Sequence, residues 1–328
     1  MNSFITACAQ RSADSMTVTH LARLLNGDST AGRQVALEAL SRLEDAVVNP
    51  FVPTVIERLC DADELTCFAA TNVLRSLSSA ELTPHASSIF ALFATVPDSS
   101  RWRVVELLSS LEPALLSQHV DGIAKLIGHA DSDVRRRAVE LLAQLPDLER
   151  HVALALPCLE DEDEDTRLSA VEMLGQLEAG ALAAHTAALL GRLADEEECV
   201  RMGAVAVLGQ LPATQLSAHL VPLLAMLDDS SWRVRRHAME LSAALPPALL
   251  VPHAELVLTH LEHSDARVRE WAVGAFSVLS SALGAAAAAA IGPRLAVALE
   301  AKLQDEDRRV RERAAALRNK MVAAATGS

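Results

Sequence analysis

The sequence predicts an all-α, right-handed α-solenoid of about eight two-helix repeats with a period of 34 residues and atypical end caps. Three observations predict it: an arginine recurs at this spacing, a small apolar residue follows three positions later, and a leucine follows ten positions later. Arg201, Arg235 and Arg269 are each 34 residues apart. A fixed period between about 20 and 50 residues is typical of an array in which each unit contacts mainly its neighbours.

Four columns of residues define the repeat. The arginine column, called here the arginine ladder, consists of Arg33, Arg101, Arg135, Arg167, Arg201, Arg235, Arg269 and Arg311, with Cys67 at the missing position. The small-residue column consists of Ala36, Ala70, Val104, Ala138, Ala170, Ala204, Ala238 and Ala272. The leucine column consists of Leu43, Leu77, Leu111, Leu145, Leu177, Leu211, Leu245 and Leu279. A histidine column consists of His85, His119, His151, His185, His219 and His253.

One repeat, Asp195–Leu227, shows how the unit is built. An acidic turn precedes a first helix (A helix) that opens with Val200, and a proline-containing turn leads to a second helix (B helix) that begins near His219. Both helices carry apolar residues at helical spacing, so each has one buried face. Acidic residues before the A helices are expected to cap their N-termini. They are Asp161, Asp195, Asp229 and Asp305, six residues before the arginine, and Asp131 and Asp265, four before.

The repeats predict the domain organisation. We expect an N-terminal capping hairpin at residues 1–27, a repeat array at 28–303, a C-terminal capping helix at 304–322 and a disordered tail at 323–328. The last spacing in the ladder, from Arg269 to Arg311, is 42 residues. The extra residues are assigned to the Gly284–Gly292 region, which is expected to lengthen a helix or a loop.

The amino-acid composition argues against several classes of function. A net charge of −14 argues against a nucleic-acid groove, since phosphate binding depends on clustered Lys and Arg. The five cysteines are scattered and odd in number, which is typical of buried thiols in a reducing, cytoplasmic compartment, with organelle import left open. The chain has no stretch as long as the ~18 apolar residues of a membrane span. The acidic run Glu160–Asp165 is interpreted as a solvated turn, or alternatively as a docking point for a basic peptide.

The pattern D-x-x-x-x-V-R-x-x-A-x-x-x-L-x-x-L resembles the HEAT repeat. It is present as Asp195, Val200, Arg201, Ala204, Leu208 and Leu211. The resemblance covers about residues 28–322, and the short repeat is similar to a compact subgroup known from bilin lyases. It implies that the Asp and Arg of successive repeats bond to one another along the arginine ladder. It also implies that B helices line a concave face.

The expected partner-binding positions lie on the B helices, outside the predicted core. They are Ser87, Ser88, Asp121, Lys125, Ala188, Gly191, Val221 and Ala225. Mostly small side chains here either let a partner approach closely or only tune the curvature. A recurring glutamate on the A helices is interpreted as a solvated acidic stripe on the opposite face. It consists of Glu38, Glu106, Glu140, Glu172 and Glu240.

No catalytic, cofactor-binding or metal-ligating set emerges from the sequence. The histidine column suggests a metal line or a pH sensor, but helices in neighbouring repeats pack about 10 Å apart. Zinc–nitrogen bonds are only ~2 Å long, so a repeated packing residue is the favoured interpretation. We therefore expect a non-catalytic scaffold or adaptor that binds other proteins, including ones with basic or helical segments, within a larger assembly. A bilin lyase-type enzyme or chaperone and a purely structural spacer are the alternatives.

Overall fold

The structure is a computed structural model that describes residues 15–92, 98–280, 282 and 285–326. Throughout these ranges the regular structure is α-helix and short 3-10 helix, without β-strand. The chain divides into two compact units, Met1–Met173 and Leu174–Ser328. The predicted all-α fold class is confirmed, and most of the predicted hairpin at residues 1–27 lies outside the described residues.

The first unit begins with α1 and ends within α13. Its helices are α1 Ser15–Leu25, α2 Thr30–Leu40, α3 Asp45–Val48, α4 Val52–Glu57, α5 Glu64–Ser76, α6 Ser79–Leu82, α7 Ala86–Leu92, α8 Asp98–Leu108, α9 Pro113–Leu116, α10 Val120–Ile127, α11 Ser132–Ala143, α12 Val152–Ala155 and α13 Glu164–Leu174. The A helices are α2, α5, α8, α11 and α13.

The second unit continues the same alternation. Its helices are α14 Ala179–Ala183, α15 Thr186–Arg192, α16 Glu198–Leu208, α17 Ala213–Leu216, α18 Leu220–Ala225, α19 Trp232–Ala244, α20 Pro247–Leu250, α21 Ala254–Thr259, α22 Ala266–Leu279, α23 Ala285–Lys302 and α24 Arg308–Thr326. The A helices are α16, α19, α22 and α24. Short 3-10 helices in the two units span Asn49–Phe51, Arg58–Cys60, Thr83–His85, Ser117–His119, Leu148–Arg150, Leu156–Glu160, Ser217–His219, Met226–Asp228, Val251–His253 and His260–Glu262.

The small-residue and leucine columns form the core. All eight members of the small-residue column are buried, and seven of the eight leucines are buried, Leu43 being only partly covered. In α11 the buried positions Val134, Ala138, Leu141 and Leu142 recur at three- and four-residue spacing, which places them on one face. A small side chain at the centre of each A helix allows its neighbours to pack closely, so the repeat pattern reflects core packing.

The B segments are less regular than the sequence predicts. The B helix predicted to begin near His219 is α18, which begins at Leu220, but a short helix, α17, and a 3-10 turn, Ser217–His219, lie where only a turn was predicted. Proline is one reason for such breaks, because it lacks an N–H and fixes φ, so it suits the first turn of a new helical segment. Pro53, Pro113 and Pro247 each lie in the first turn of a short helix.

The repeat that begins at Arg135 is shorter, since Arg135 and Arg167 are 32 residues apart. A short α-helix follows each of the A helices α2, α5, α8, α13, α16 and α19, but this repeat turns at Asp147, which has a φ of 54°. Aspartate tolerates this left-handed conformation better than most residues. The turn leads directly into the 3-10 helix Leu148–Arg150 and accommodates the missing residues.

The C-terminal end differs from the prediction in its details. The described part of the Gly284–Gly292 region belongs to α23, so the insertion lengthens a helix. Helix α24 continues through residues 323–326, where a disordered tail was expected, because alanine favours helix strongly. Residues 327–328 lie outside the described residues.

Candidate interaction surfaces

The arginine ladder joins consecutive repeats in the first unit. Arg135 donates from Nε and Nη2 to the two carboxylate oxygens of Asp161, 26 residues later, at 2.7 Å each. Its Nη1 donates to the backbone oxygens of His129 and Ala130 at 2.9 Å. Arg33 likewise donates from Nη2 to Asp61 at 3.0 Å. Each guanidinium therefore fastens the turn before its own helix to the turn of the next repeat.

The second unit repeats this geometry. Arg201 donates to both carboxylate oxygens of Asp229 at 2.7 and 3.0 Å, and Arg269 donates to both of Asp305 at 2.9 Å. Arg235 reaches Asp265, 30 residues later, with bonds of 3.0 and 2.7 Å. Arg311 donates to the backbone oxygen of Asp305 at 2.6 Å. Paired charged hydrogen bonds of this kind set geometry as well as energy.

Three positions depart from this pattern, and one of them is His263, which replaces the turn aspartate and whose Nδ1 accepts the backbone N–H of Asp265 at 2.9 Å. Cys67 lies where an arginine is expected, and its thiol donates to the backbone oxygen of Asp61 at 3.0 Å, as the arginine Nη1 does elsewhere. His129 lies where the acceptor aspartate is expected, and its Nε2 lies 2.7 Å from Arg101 Nη1. The imidazole Nδ1 of His129 accepts the backbone N–H of Asp131 at 3.0 Å. Histidine thus replaces a carboxylate oxygen in this turn.

In the turn before α13, different aspartates bond to the arginine ladder and cap the A helix, whereas the sequence predicts that one aspartate does both. The residue six before the arginine does not cap the A helix: Asp161 accepts the backbone N–H of Asp163 at 3.0 Å. The residue four before acts as the cap, since Asp163 accepts the Thr166 N–H at 2.8 Å. Asp131 and Asp265 also cap their helices, each accepting the backbone N–H two residues later. Asp161 and Asp163 of the acidic run Glu160–Asp165 are therefore occupied within their own turn and ladder, and Glu162 also accepts from Arg135 Nη2 at 3.4 Å.

Most expected partner-binding positions are exposed. In the first unit, Ser87, Ser88, Asp121 and Lys125 are exposed on α7 and α10. In the second unit, Gly191, Val221 and Ala225 are exposed and Ala188 is half-buried. No atom lies within 4 Å of the place where a Cβ on Gly191 would stand. Each unit thus presents a strip of four such positions along its B helices, with two serines and two opposite charges in the first unit and four uncharged, mostly small residues in the second.

A model of HEAT repeats matches residues 120–209 and 159–244. These residues consist of HEAT repeats, and the match supports a HEAT-repeat protein. No curated relative matches the sequence. Within the matched residues, Arg135 and Arg201 of the ladder and Ala138, Ala170, Ala204 and Ala238 of the small-residue column belong to these HEAT repeats.

Solved structures share the fold at low sequence identity. The crystal structure of an engineered protein has a TM-score of 0.54 at 16% identity, covering 94% of this chain and 92% of that one. Kap95p with RanGDP has a TM-score of 0.61 at 13% identity, covering 96% and 45%. Kap121p bound to RanGTP has a TM-score of 0.59 at 17% identity, covering 93% and 37%. The chain thus spans less than half of either Kap chain.

The glutamate column on the A helices is less acidic than its sequence suggests. Arginine side chains lie within ion-pair distance of four members. These pairs are Arg42–Glu38 at 2.8 Å, Arg75–Glu106 at 3.1 Å, Arg136–Glu140 at 3.0 Å, Arg137–Glu140 at 2.8 Å and Arg236–Glu240 at 2.8 Å. These partly exposed pairs each contribute little to stability, but they neutralise much of the stripe.

Four of the six histidines in the column share one backbone conformation. His119, His185, His219 and His253 precede a B helix with φ between −106° and −123° and ψ between 6° and 23°. This sparsely populated region suits the residue at which a 3-10 turn changes into an α-helix. Within the described ranges, no group of three or more His, Cys, Asp or Glu residues is placed to hold a metal ion.

None of the described helices is by itself long and apolar enough to cross a membrane. The segments Trp232–Ala244 and Pro247–Glu262 have the length and apolar composition of a membrane span only when they are taken together, and the chain bends by 118° between them.

The ladder carboxylates predict sensitivity to acid. Burial acts to raise the pKa of Asp161, Asp265 and Asp305, but hydrogen bonds and charge from the ladder arginines prevail and hold each pKa below its usual value. Stability from a carboxylate with a lowered pKa is present above its unfolded value of ~3.9 and is lost as the pH falls through the lower folded value. We therefore expect the urea midpoint to stay nearly level from about pH 7 to 5 and to fall below about pH 4.

Urea unfolding followed by circular dichroism at several pH values tests this expectation. A variant with Arg135→Met and Asp161→Leu removes one ladder pair and is expected to show a smaller fall in acid. A main loss of stability between about pH 7 and 5.5 would instead indicate titrating histidines and contradict the assignment.

Proposed function

We propose that this HEAT-repeat protein is a non-catalytic scaffold that holds partner proteins against the exposed strips of its B helices. The observation that carries the proposal is the exposure of small residues at these positions, above all Gly191, Val221 and Ala225 in the second unit. A small side chain lets a partner helix or strand approach the backbone closely. The surface is preformed, so binding orders few residues of the scaffold.

Similar folds with protein partners support this proposal. Kap95p is described in complex with RanGDP, and Kap121p is described bound to RanGTP and to Nup53p. Ran and Nup53p are partners of the Kap proteins. For this chain we propose only the general mode of binding, in which an α-solenoid binds another protein over an extended surface.

The mode of binding follows from the chemistry of the strips. In the first unit Asp121 and Lys125 contribute opposite charges one helical turn apart, whereas the strip of the second unit carries none among its four positions. Val221 is 57% exposed and supplies apolar surface for a partner to cover. We propose that the second-unit strip binds an apolar face of a partner, while the first-unit strip adds polar specificity.

A charge placed on the strip is expected to abolish partner binding. Ala225→Glu puts a carboxylate on the exposed face of α18, where a bound apolar partner would have to bury it, and desolvating an unpaired charge is costly. We expect recovery of specific partners by affinity purification and quantitative mass spectrometry to fall at least about tenfold. Ala188→Glu is expected to act in the same way from α15.

The matched control is Ala206→Glu, the same change at an exposed alanine of the A helix α16. It is expected to leave recovery unchanged. If Ala225→Glu and Ala206→Glu retain all the same proteins while both remain folded, the strip is not the binding surface and a structural spacer becomes the better interpretation.

A further inference from the structure

A cavity of about 250 Å³ in the second unit is lined by the A helices α19, α22 and α24 and by the short helix α20, and none of the strip residues lines it. Leu245 and Leu250, from the turn after α19 and from α20, form one wall, and Trp271 and Val278 of α22 form another. The lining also includes Gly274 and Arg313, and Arg313 is the charged residue among those lining it. Trp271 is 9% exposed, whereas Val278 is 51% exposed, so the cavity opens to the surface at Val278.

Arg313 of α24 provides the polar group at the cavity. Its Nε lies 3.0 Å from Glu270 Oε1, and the side chain remains 55% exposed. Gly274 makes room for the guanidinium, because a Cβ there would lie 2.8 Å from Nη1. The pair with Glu270 uses Nε, and within the described residues the two terminal nitrogens have no hydrogen-bond partner. The apolar cavity therefore has a cationic donor at one side.

The part of the sequence that contains the cavity has a net positive charge, whereas the rest of the chain has a net negative charge. Residues 232–328 contain 13 Lys and Arg against 10 Asp and Glu, whereas residues 1–231 contain 16 against 33. A local excess of cations attracts acidic segments and raises their association rate. An acidic ligand is thus more compatible with this end of the chain than a basic one.

The size of the cavity suggests what the acidic ligand inserts. At about 250 Å³ it is smaller than the ~300–1,000 Å³ typical of small-molecule sites. It suits one large side chain, such as phenylalanine or leucine. Burying such a side chain favours binding, and anchors of this kind dominate many interfaces.

We propose that this cavity is a docking pocket for an acidic partner peptide, which inserts one bulky apolar side chain and places a neighbouring carboxylate on Arg313. The pocket lies on the opposite type of helix from the scaffold strip and acts independently of it. Trp271 and the two leucines contact the apolar side chain, and the terminal nitrogens of Arg313 donate to the carboxylate. Glu270 holds the guanidinium in position through Nε.

Fluorescence polarisation of the full chain with a short labelled peptide tests the proposal. The probe carries one phenylalanine flanked on both sides by glutamates. Two control peptides replace the phenylalanine by serine or the glutamates by lysines. We expect saturable binding of the probe, at least about tenfold weaker binding of the serine peptide and none of the lysine peptide.

Two variants locate the binding at the pocket. Arg313→Glu reverses the charge at the cavity, and Ala275→Phe fills the cavity from α22. Each is expected to weaken binding at least about tenfold. The matched control is Arg308→Glu, the same charge change on the same helix at a side chain 82% exposed. It is expected to weaken binding less than about threefold, by long-range charge alone.

Thermal unfolding of each variant verifies that it is folded, and Arg313→Glu tests the charge contact should Ala275→Phe fail to fold. Equal losses from Arg308→Glu and Arg313→Glu would show that binding depends on overall charge and would overturn the proposal. Probe binding that survives Ala275→Phe in a folded protein, equal binding of the serine peptide, or absence of saturable binding would also overturn it. Because these measurements use only short peptides, their outcome does not depend on whether the B-helix strip binds a partner.

Discussion

Replacing Arg269 by alanine is expected to lower the free energy of unfolding by about 3–5 kcal/mol. The side chains of Arg269 and Asp305 are only 7% and 5% exposed, and two hydrogen bonds of 2.9 Å join them. Arg269 Nη1 also donates to the backbone oxygens of His263 and Ser264. Its removal leaves a buried carboxylate and two carbonyl groups without these donors, and such groups are costly to bury.

Urea denaturation of the wild type and the variant measures this effect. The control is Arg236→Ala, which removes an ion pair whose two side chains are each 57% exposed, and it is expected to cost less than about 1 kcal/mol. A double variant, Arg269→Met with Asp305→Leu, is expected to lose much less than Arg269→Ala, because no charge is left buried alone. Similar small losses for Arg269→Ala and Arg236→Ala would mean that the ladder does not hold the turns together.

Replacing Phe276 by alanine is expected to cost about 3–5 kcal/mol. Phe276 is fully buried in α22 and is among the largest side chains without solvent contact. Its loss removes apolar burial and leaves a cavity that the tightly packed helices refill only in part. The measurement is again the free energy of unfolding in urea.

Phe68→Ala is the matched control for this change. Phe68 is 52% exposed, so the same truncation removes little buried surface and is expected to cost less than about 1 kcal/mol. The result would contradict the core assignment if Phe276→Ala were no more destabilising than Phe68→Ala.

The recurring columns predicted the fold because a repeated contact requires a repeated residue. An alanine that packs against a neighbouring helix must recur wherever that contact recurs, as Ala138, Ala204 and Ala272 do. The HEAT resemblance implied bonds along the arginine ladder, and the structure brings Arg135, Arg201 and Arg269 to aspartates of the next turn. The partner-binding strip remains a proposal because no column encodes the identity of a ligand.

Other features were not predictable from periodicity. His129 takes the place of an aspartate in its turn, which depends on an imidazole nitrogen lying where a carboxylate oxygen lies elsewhere. The cavity beside Arg313 was also missed, because its lining comes from four helices and the turn after α19. A single Gly274 that admits a guanidinium from a later helix leaves no periodic signal.

The sequence by itself determined that this protein is a helical repeat array, which residues face its core and that the arginines recur at equivalent places. These properties follow from local spacing, since the helix period and the repeat period decide which side chains share a face. Only the tertiary structure decided which carboxylate each arginine meets, how the B segments break, and where an apolar cavity opens beside a cation. Those outcomes depend on distances between segments 26 to 43 residues apart, and such distances exist only after the helices have packed.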